Sequence, residues 1–409
     1  MLASATSLRG GRTRFVFLGL RPKPQTGSRR FASIARLKAL AKLWASGTRG
    51  RARIVRTVPS PYADENFFRA LLSKAVAGKA SDVHIKVGQP PGARIRGEMV
   101  YFRTERVQPE DTAAVVQFVI TNPSVLARLE ELKEYDTSYS AVGIGRFRVN
   151  VYRQRGSLAI VMRFIPTDIP SIESLGLPMP VTRDLAEKQY GLVLVVGAAG
   201  NGKSTSIASM VAHLNATRAL HIVTVEDPIE FLHQDALSSI SQREVGLDTA
   251  SFAAALRAAL RQDPDVIFVG EIRDEETVEI TLKAGETGHL VLATLHTSDA
   301  VRTVNRLLAM MGGEPADNRV RIASCLQGII AQRLLSRADG TGVVLASEVL
   351  VASQSVRESI RRPENNPSLK SLMEKGTHPY GMQTFQMSVS RLFEEGVVDS
   401  AAAEEAMAT

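Results

Sequence analysis

Residues 197–205 read GAAGNGKST, a full match to the pattern G-x-x-x-x-G-K-[ST], and the flanking sequence decides what the match means. The apolar run LVLVV (Leu192 to Val196) stands directly before it, and the helix-compatible stretch Ser206 to Leu214 follows. Strand, glycine loop and helix in that order are the context in which this pattern binds phosphate. Gly197, Gly200 and Gly202 let successive backbone N–H groups turn inward around phosphate oxygens, and the helix adds the positive end of its dipole. Lys203 is then placed to reach the β and γ phosphates of a nucleoside triphosphate such as ATP, and the Ser204 hydroxyl to ligate Mg²⁺; Asn201 and Thr205 complete the segment.

Beyond the loop, short apolar runs alternate with helix-length stretches. Leu192 to Val196, His221 to Val225, Val266 to Val269 and Leu290 to Thr294 read as strands of a mostly parallel sheet covered on both faces. Such sheets bind ligands at the carboxyl ends of their strands, and those ends carry the chemistry here. HIVTVEDPIEF puts Glu226, Asp227 and Glu230 after one strand, DVIFVGEIRD puts Glu271, Arg273 and Asp274 after another, and GHLVLATLHT puts His296 after a third. A hydrolytic NTPase needs a carboxylate to organise Mg²⁺ and its waters, another to orient the attacking water, and a polar sensor of the γ phosphate. Either Glu226 or Glu271 can fill each carboxylate role through solvent; Glu271 is the expected catalytic one.

The region before this core has a different rhythm. ENFFRALLSKAVAGKA (Glu65 to Ala80) carries apolar residues at helical spacing and reaches a stop at Gly78. SDVHIKV (Ser81 to Val87) alternates Val83, Ile85 and Val87 with Asp82, His84 and Lys86, the pattern of a half-buried strand; His84 reads first as a satisfied strand residue, with an interface contact as the alternative. QPPGARIRGEMVYF suggests turns and short strands, PEDTAAVVQFVI and PSVLARLEELK two helices, and RFRVNVYRQRGSLAIVMRFI (Arg146 to Ile165) a hairpin around Gln154 to Ser157. Mixed strands and helices indicate a smaller α+β domain over 63–165. The proline-rich 166–186 reads as a linker, 187–399 as the α/β nucleotide-binding domain with its C-terminal helices, and 400–409 as a tail.

Charge is unevenly spread along the 409 residues. Residues 1–63 hold 14 Lys and Arg and no acid, so the remainder carries 36 basic against 42 acidic side chains, or −6, although the whole chain is +8. The basic balance therefore belongs to the leader 1–62, and nothing in the body points to nucleic acid. Within the leader, FASIARLKALAKLWA (Phe31 to Ala45) is basic and partly amphipathic. Three readings of the leader stay open: a disordered or spurious low-complexity extension, a segment for an acidic membrane surface, and a targeting peptide. No apolar run approaches the roughly 18 residues needed to span a bilayer. The single cysteine, Cys325, sits in the apolar RIASCLQGII and reads as a core residue; one cysteine excludes an internal disulfide framework and a four-cysteine zinc site. A cytoplasmic location is the default.

Taken together, ASDVHI, GNGKST, VTVEDPIEF, SQREVG, ALRQDPDVIFVGEIRD and GHLVLATLHT closely resemble the secretion ATPases of type II secretion and type IV pilus systems, over about Ala63 to Asp399. The similarity is greatest to the family's pilus-retraction branch. It implies a homohexameric, Mg-dependent ATPase at the cytoplasmic face of the inner membrane, working with an inner-membrane pilus platform protein. Each subunit would have a PAS-like N-terminal domain and a RecA-like core. By this resemblance Lys203, Ser204 and Thr205 belong to Walker A, Glu226, Asp227 and Glu230 to the Asp box, Glu271 to Walker B, and His289 and His296 to the His box. Arg148 and Arg163, on the two arms of the hairpin, match N-terminal-domain arginines that reach nucleotide phosphates. Absence of a four-cysteine motif and the C-terminal GMQTF (Gly381 to Phe385) favour retraction over extension. SVRESIRR (Ser355 to Arg362) departs from the retraction motif, so an accessory paralogue stays open beside a secretion or extension ATPase. Two readings of other classes also stay open, a nucleotide-gated scaffold and a nucleic-acid motor.

Overall fold

Two turns of sequence Arg-Gly shape the first unit. The computed structural model describes residues 17–19 and 60–408, and the chain divides into two units, 1–164 and 165–409. Apart from 17–19 and 60–62, the leader and its Phe31 to Ala45 segment lie outside the described residues, as does Thr409. The strands of the first unit are β1 (Phe17–Gly19), β2 (Ala80–Lys86), β3 (Gly92–Ile95), β4 (Glu98–Arg103), β5 (Glu134–Ala141), β6 (Gly145–Gln154) and β7 (Ser157–Ile165), in the order β1-β4-β3-β2-β7-β6-β5. Arg96-Gly97 and Arg155-Gly156 both have positive φ at the two turn residues, 50° and 83°, then 51° and 80°. That is the geometry of the tight hairpin turn whose twist matches its strands.

The helix Glu65–Ala77, capped by the Asp64 side chain and ended at Gly78, buries Phe68, Leu71 and Leu72. These pack with Val115 and Val116 of the helix Pro109–Val119 and with Val83, Ile85, Phe147, Val149 and Val151 of the sheet into one core. Three expectations are corrected here. PSVLARLEELK is helical only over Pro123–Leu126. The guanidinium of Arg153 takes the carbonyls of Leu129, Glu130 and Leu132 at 2.7–2.9 Å, and these then turn toward the arginine instead of along a helix axis. Asp82, placed on the polar side of its strand, is nevertheless buried, because Arg163 lies directly across from it and covers it. His84 is half-buried, and its Nε2 has no hydrogen-bond partner among the described residues, so it is not the fully satisfied strand residue expected.

The second unit holds β8 (Gly191–Val196), β9 (His221–Glu226), β10 (Ser239–Glu244), β11 (Val266–Val269), β12 (Leu290–Leu295), β13 (Leu326–Ser336) and β14 (Val343–Val351). Their order is β10-β9-β11-β12-β8-β13-β14, with every pair parallel except β13 and β14. All residues of β8, β11 and β12 are buried, which is why these runs show no polar alternation. Helices cover both faces. Ile207, Met210, Val211 and Leu214 of the helix Lys203–Thr217 pack on one face, and Val278 and Leu282 of the helix Glu275–Glu286 on the other. The proline-rich stretch is not free chain: Ile172, Leu177, Val181 and Leu185 are buried in the same core as Ile207 and Met210. Cys325 is buried, and burial pushes its thiol up to about 12, in keeping with a core role. Among the described residues no helix is long and apolar enough to cross a membrane.

Leu194 of β8 is fully buried at the centre of this sheet. Leu194→Ala is expected to cost about 2–5 kcal/mol through lost burial and the cavity left behind. Urea denaturation of the full chain checks this, and a loss below about 1 kcal/mol would contradict the packing described.

Candidate functional site

Parallel register assembles the site. Val196 of β8 pairs with Leu295 of β12, and Val269 of β11 pairs with both Val225 of β9 and Ala293 of β12. Gly197, Glu226, Gly270 and His296, each reached within a few residues of these pairs, therefore leave the sheet along one rim. Two backbone bonds tie the rim, Gly197 N–H to Leu295 O at 3.3 Å and Gly270 N–H to Val225 O at 2.8 Å. Beside the rim lies a cleft of about 420 Å³, lined by the glycine loop, Lys203, Ser204, Thr205, Glu226, Asp227, Glu230, Glu271, Arg273 and His296, with Phe252 and Phe268 at its apolar side.

The loop is held from behind. Gly197 has φ of 150°, and a Cβ there would meet the carbonyl oxygen of Gln332 at 2.6 Å, so no other residue fits this approach. Asn201 turns away from the cleft: its Oδ1 accepts the Leu334 N–H of β13 at 3.1 Å. Gln332, on the same strand, donates to Ser206 Oγ at 2.6 Å. Gly202, in the left-handed region, opens the helix Lys203–Thr217 without a side-chain cap, so the first helical N–H groups face the cleft uncapped.

Lys203 is buried, yet among the described residues its ammonium has only uncharged direct partners, the Ala198 carbonyl at 3.0 Å and His296 Nδ1 at 3.3 Å. Burial lowers its pKa, while the charges of Glu271 and Glu230 work to raise it. A buried ammonium with two neutral partners at the mouth of a glycine loop has the donor set that a phosphate anion requires. His296 Nε2 lies 3.0 Å from Glu271 Oε1. The lysine must donate, so Nδ1 accepts and Nε2–H donates to the carboxylate. The other oxygen of Glu271 accepts Arg273 Nε at 2.6 Å, and Arg273 also reaches Asp227 Oδ2 at 3.1 Å. Four charged groups and one imidazole thus form a continuous chain from Lys203 to Asp227.

Glu226 differs from Glu271 in its setting. Its carboxyl is buried, accepts from Thr224 Oγ1 at 2.7 Å and Gln242 Nε2 at 3.1 Å, and meets the Glu230 N–H at 3.4 Å. Burial outweighs these bonds and pushes its pKa up to about 7. Ser204, at the head of the helix, and the carboxyls of Glu226 and Glu271 are the oxygen donors that could hold a hard divalent cation, and their chemistry fits Mg²⁺.

One group expected at the site lies elsewhere. His289 precedes β12 and bonds Ala284 O at the amino end of the sheet, while His296 follows the carboxyl end of the same strand. Six residues of strand rising about 3.3 Å each separate the two histidines by roughly 20 Å, so His289 has no part in the cleft. Arg148 and Arg163 stand on β6 and β7 of the first unit, exposed between the buried neighbours Phe147, Val149 and Met162. Arg163 is paired with Asp82 at 3.0 Å; burial alone would push that carboxyl up, but the bonds from Ser81 and Arg163 hold it below its usual range. Asp274 caps the helix Glu275–Glu286 through the Thr277 N–H, a structural task. Thr224 and Gln242 were not foreseen as site residues. The only sequence signal for Gln242 was its place in SQREVG.

Glu226 carries a pH dependence whose sign can be worked out. Its folded pKa of about 7 lies above the ordinary glutamate value of 4.5, so the native state holds the proton more tightly and stability falls as pH rises from about 4.5 through 7. At one pKa unit per 1.36 kcal/mol the loss is on the order of 3 kcal/mol. Glu226→Gln, which has no charge to bury, is expected to melt above the wild type at pH 8, with the gap closing below pH 4.5. Thermal melts of both proteins without nucleotide check this; a gap independent of pH would contradict it.

Comparison with known proteins follows the same outline. A family model described as Type II/IV secretion system protein matches residues 63–376. The chain is 37% identical to the type IV pilus retraction ATPase PilT of Pseudomonas aeruginosa over 336 residues, 82% of this chain and 96% of that one. It is 39% identical to the type IV pilus ATPase PilU of the same organism over 335 residues, 81% and 86% of the two chains. A crystal structure of the pilus retraction motor PilT with bound ADP superposes with a TM-score of 0.74 at 42% identity, covering 83% of this chain and 96% of that one. The fold class read from the sequence, a RecA-like core with a mostly parallel sheet after a smaller α+β PAS-like domain, agrees with that likeness.

Proposed function

This chain belongs to the Type II/IV secretion system protein family, and from that premise we propose that it is an ATP-hydrolysing motor of a type IV pilus, working as PilT does in retraction and twitching motility. The observation that carries the reading is the chain of contacts Lys203–His296–Glu271–Arg273, set at the mouth of the glycine loop. In this reading the loop N–H groups and Lys203 bind the phosphates. Glu271 takes the proton of the attacking water, oriented from one side by Arg273 and from the other by His296. His296, touching both Lys203 and Glu271, senses the γ phosphate through the first and reports to the second. Mg²⁺, held by Ser204 and through water by Glu226 and Glu271, would neutralise phosphate charge. Arg148 and Arg163 of the first unit would supply further positive charge to the phosphates, Arg163 leaving Asp82 to do so. Binding then draws the two units together and hydrolysis lets them part.

The working assembly is a homohexamer at the cytoplasmic face of the inner membrane, acting on an inner-membrane platform protein. Peripheral attachment to that membrane and an absence of nucleic-acid binding go with this reading; the −6 balance of residues 64–409 supports the latter. Near-equal similarity to PilT and PilU favours a second reading, an accessory motor that works only beside another ATPase. The helix Gln354–Arg361, which covers all of SVRESIRR but Arg362, buries Val356 and Ile360, and its Arg357 is spent on the Ser324 carbonyl at 3.0 Å.

Steady-state hydrolysis by the full chain beside Glu271→Gln tests the main reading. Turnover is expected to fall roughly 10²–10⁴-fold in the variant, with ATP affinity nearly kept and light scattering giving a six-subunit mass. A variant as fast as the wild type would remove Glu271 from the chemistry. Expression in a strain lacking its retraction ATPase separates the two pilus readings: restored retraction indicates a primary motor, and restoration only beside PilT an accessory one.

A further inference from the structure

The stretch SQREVG (Ser241 to Gly246) includes the last four residues of β10, an edge strand, and the chemistry described so far leaves it without a task. Gln242 and Glu244 lie two residues apart on this strand and so share a face, while Arg243 bonds the Asp248 carbonyl. Parallel pairing sets Gln242 beside Thr224 and Glu244 beside Glu226. The carboxamide of Gln242 uses three bonding positions at once. Nε2 donates to Glu226 Oε1 at 3.1 Å and to the Phe231 carbonyl at 2.9 Å, and Oε1 accepts the His233 N–H at 2.9 Å. The Phe231 carbonyl can only accept, which fixes the amide orientation. Glu244 Oε2 accepts the Ile229 N–H at 3.3 Å, a second tie to the same loop.

We propose that Gln242 is a positioning residue: it sets the Glu226 carboxyl for catalysis and, with Glu244, binds the loop bearing Asp227 and Glu230 to that carboxyl as one body. This rests on the ATPase reading above. Leucine at 242 removes all three bonds. Glutamate in that place would set a second carboxyl against Glu226 and the Phe231 carbonyl. The loop ties predict a local effect as well, because the Glu230 N–H is held by Glu226 Oε2.

The test compares the full-length wild type, Gln242→Leu, Glu226→Gln and the double variant. Gln242→Leu is expected to lower kcat about tenfold or more, to leave KM for ATP within about threefold, and to lower the residual rate of Glu226→Gln no further. Its Glu230 and His233 amides are expected to exchange with solvent at least about tenfold faster. An equal loss of kcat in both backgrounds, or none in the wild-type background, overturns the proposal. If the wild type hydrolyses no ATP, the functional reading fails, and exchange alone judges the positioning role: unchanged protection at Glu230 overturns it and faster exchange there upholds it. Should Gln242→Leu fail to fold, Gln242→Met carries the same comparison.

Discussion

The parallel register of β9, β11, β12 and β8 is the constraint on which everything else in the second unit depends. Because Val225, Val269, Ala293, Leu295 and Val196 are locked in one pairing, residues distant in sequence leave the sheet side by side. A shift of one residue in any pair would exchange the two faces of that strand and move its terminal group by about 3.3 Å. Burial on both faces forbids that shift. Strands with no polar residue exposed are the means by which Lys203, Glu271 and His296 are kept at hydrogen-bonding distance.

The polar chain at the rim serves placement more than stability. Arg273 is 53% exposed, and an ion pair in that setting contributes at most about 1 kcal/mol. Held by Asp227 as well, Arg273 nevertheless fixes, together with His296, the direction in which Glu271 points. Glu226, the other carboxyl of the rim, is buried and destabilising at neutral pH when ionised, the kind of cost that a fold accepts at a working site. One acid half-buried and paired, the other buried with its pKa pushed up to about 7, gives the two glutamates separate tasks.

Much of this was legible in the sequence. The four apolar runs and GAAGNGKST located the strands and loop because a doubly covered parallel sheet leaves no polar alternation to confuse the reading. Side-chain roles that depend on tertiary contacts were less visible. Asn201 sits inside the phosphate-loop motif but holds β13, and only the fold shows that. His289 and His296 share one motif, yet a six-residue strand between them sends them to opposite ends of the sheet, a separation their spacing already implied. The truncated helix after Pro123 depends on Arg153, more than twenty residues away, and Asp82 is buried by Arg163 across the sheet. In each case a long-range partner overrode the local pattern.

The central claim is that the cleft at this rim binds and hydrolyses a nucleoside triphosphate. Phosphate release from Mg·ATP by the full chain, measured beside Lys203→Ala, tests it most directly. The account predicts sustained release by the wild type and near-complete loss in the variant. Equal rates in the two proteins, or none in the wild type, would contradict it.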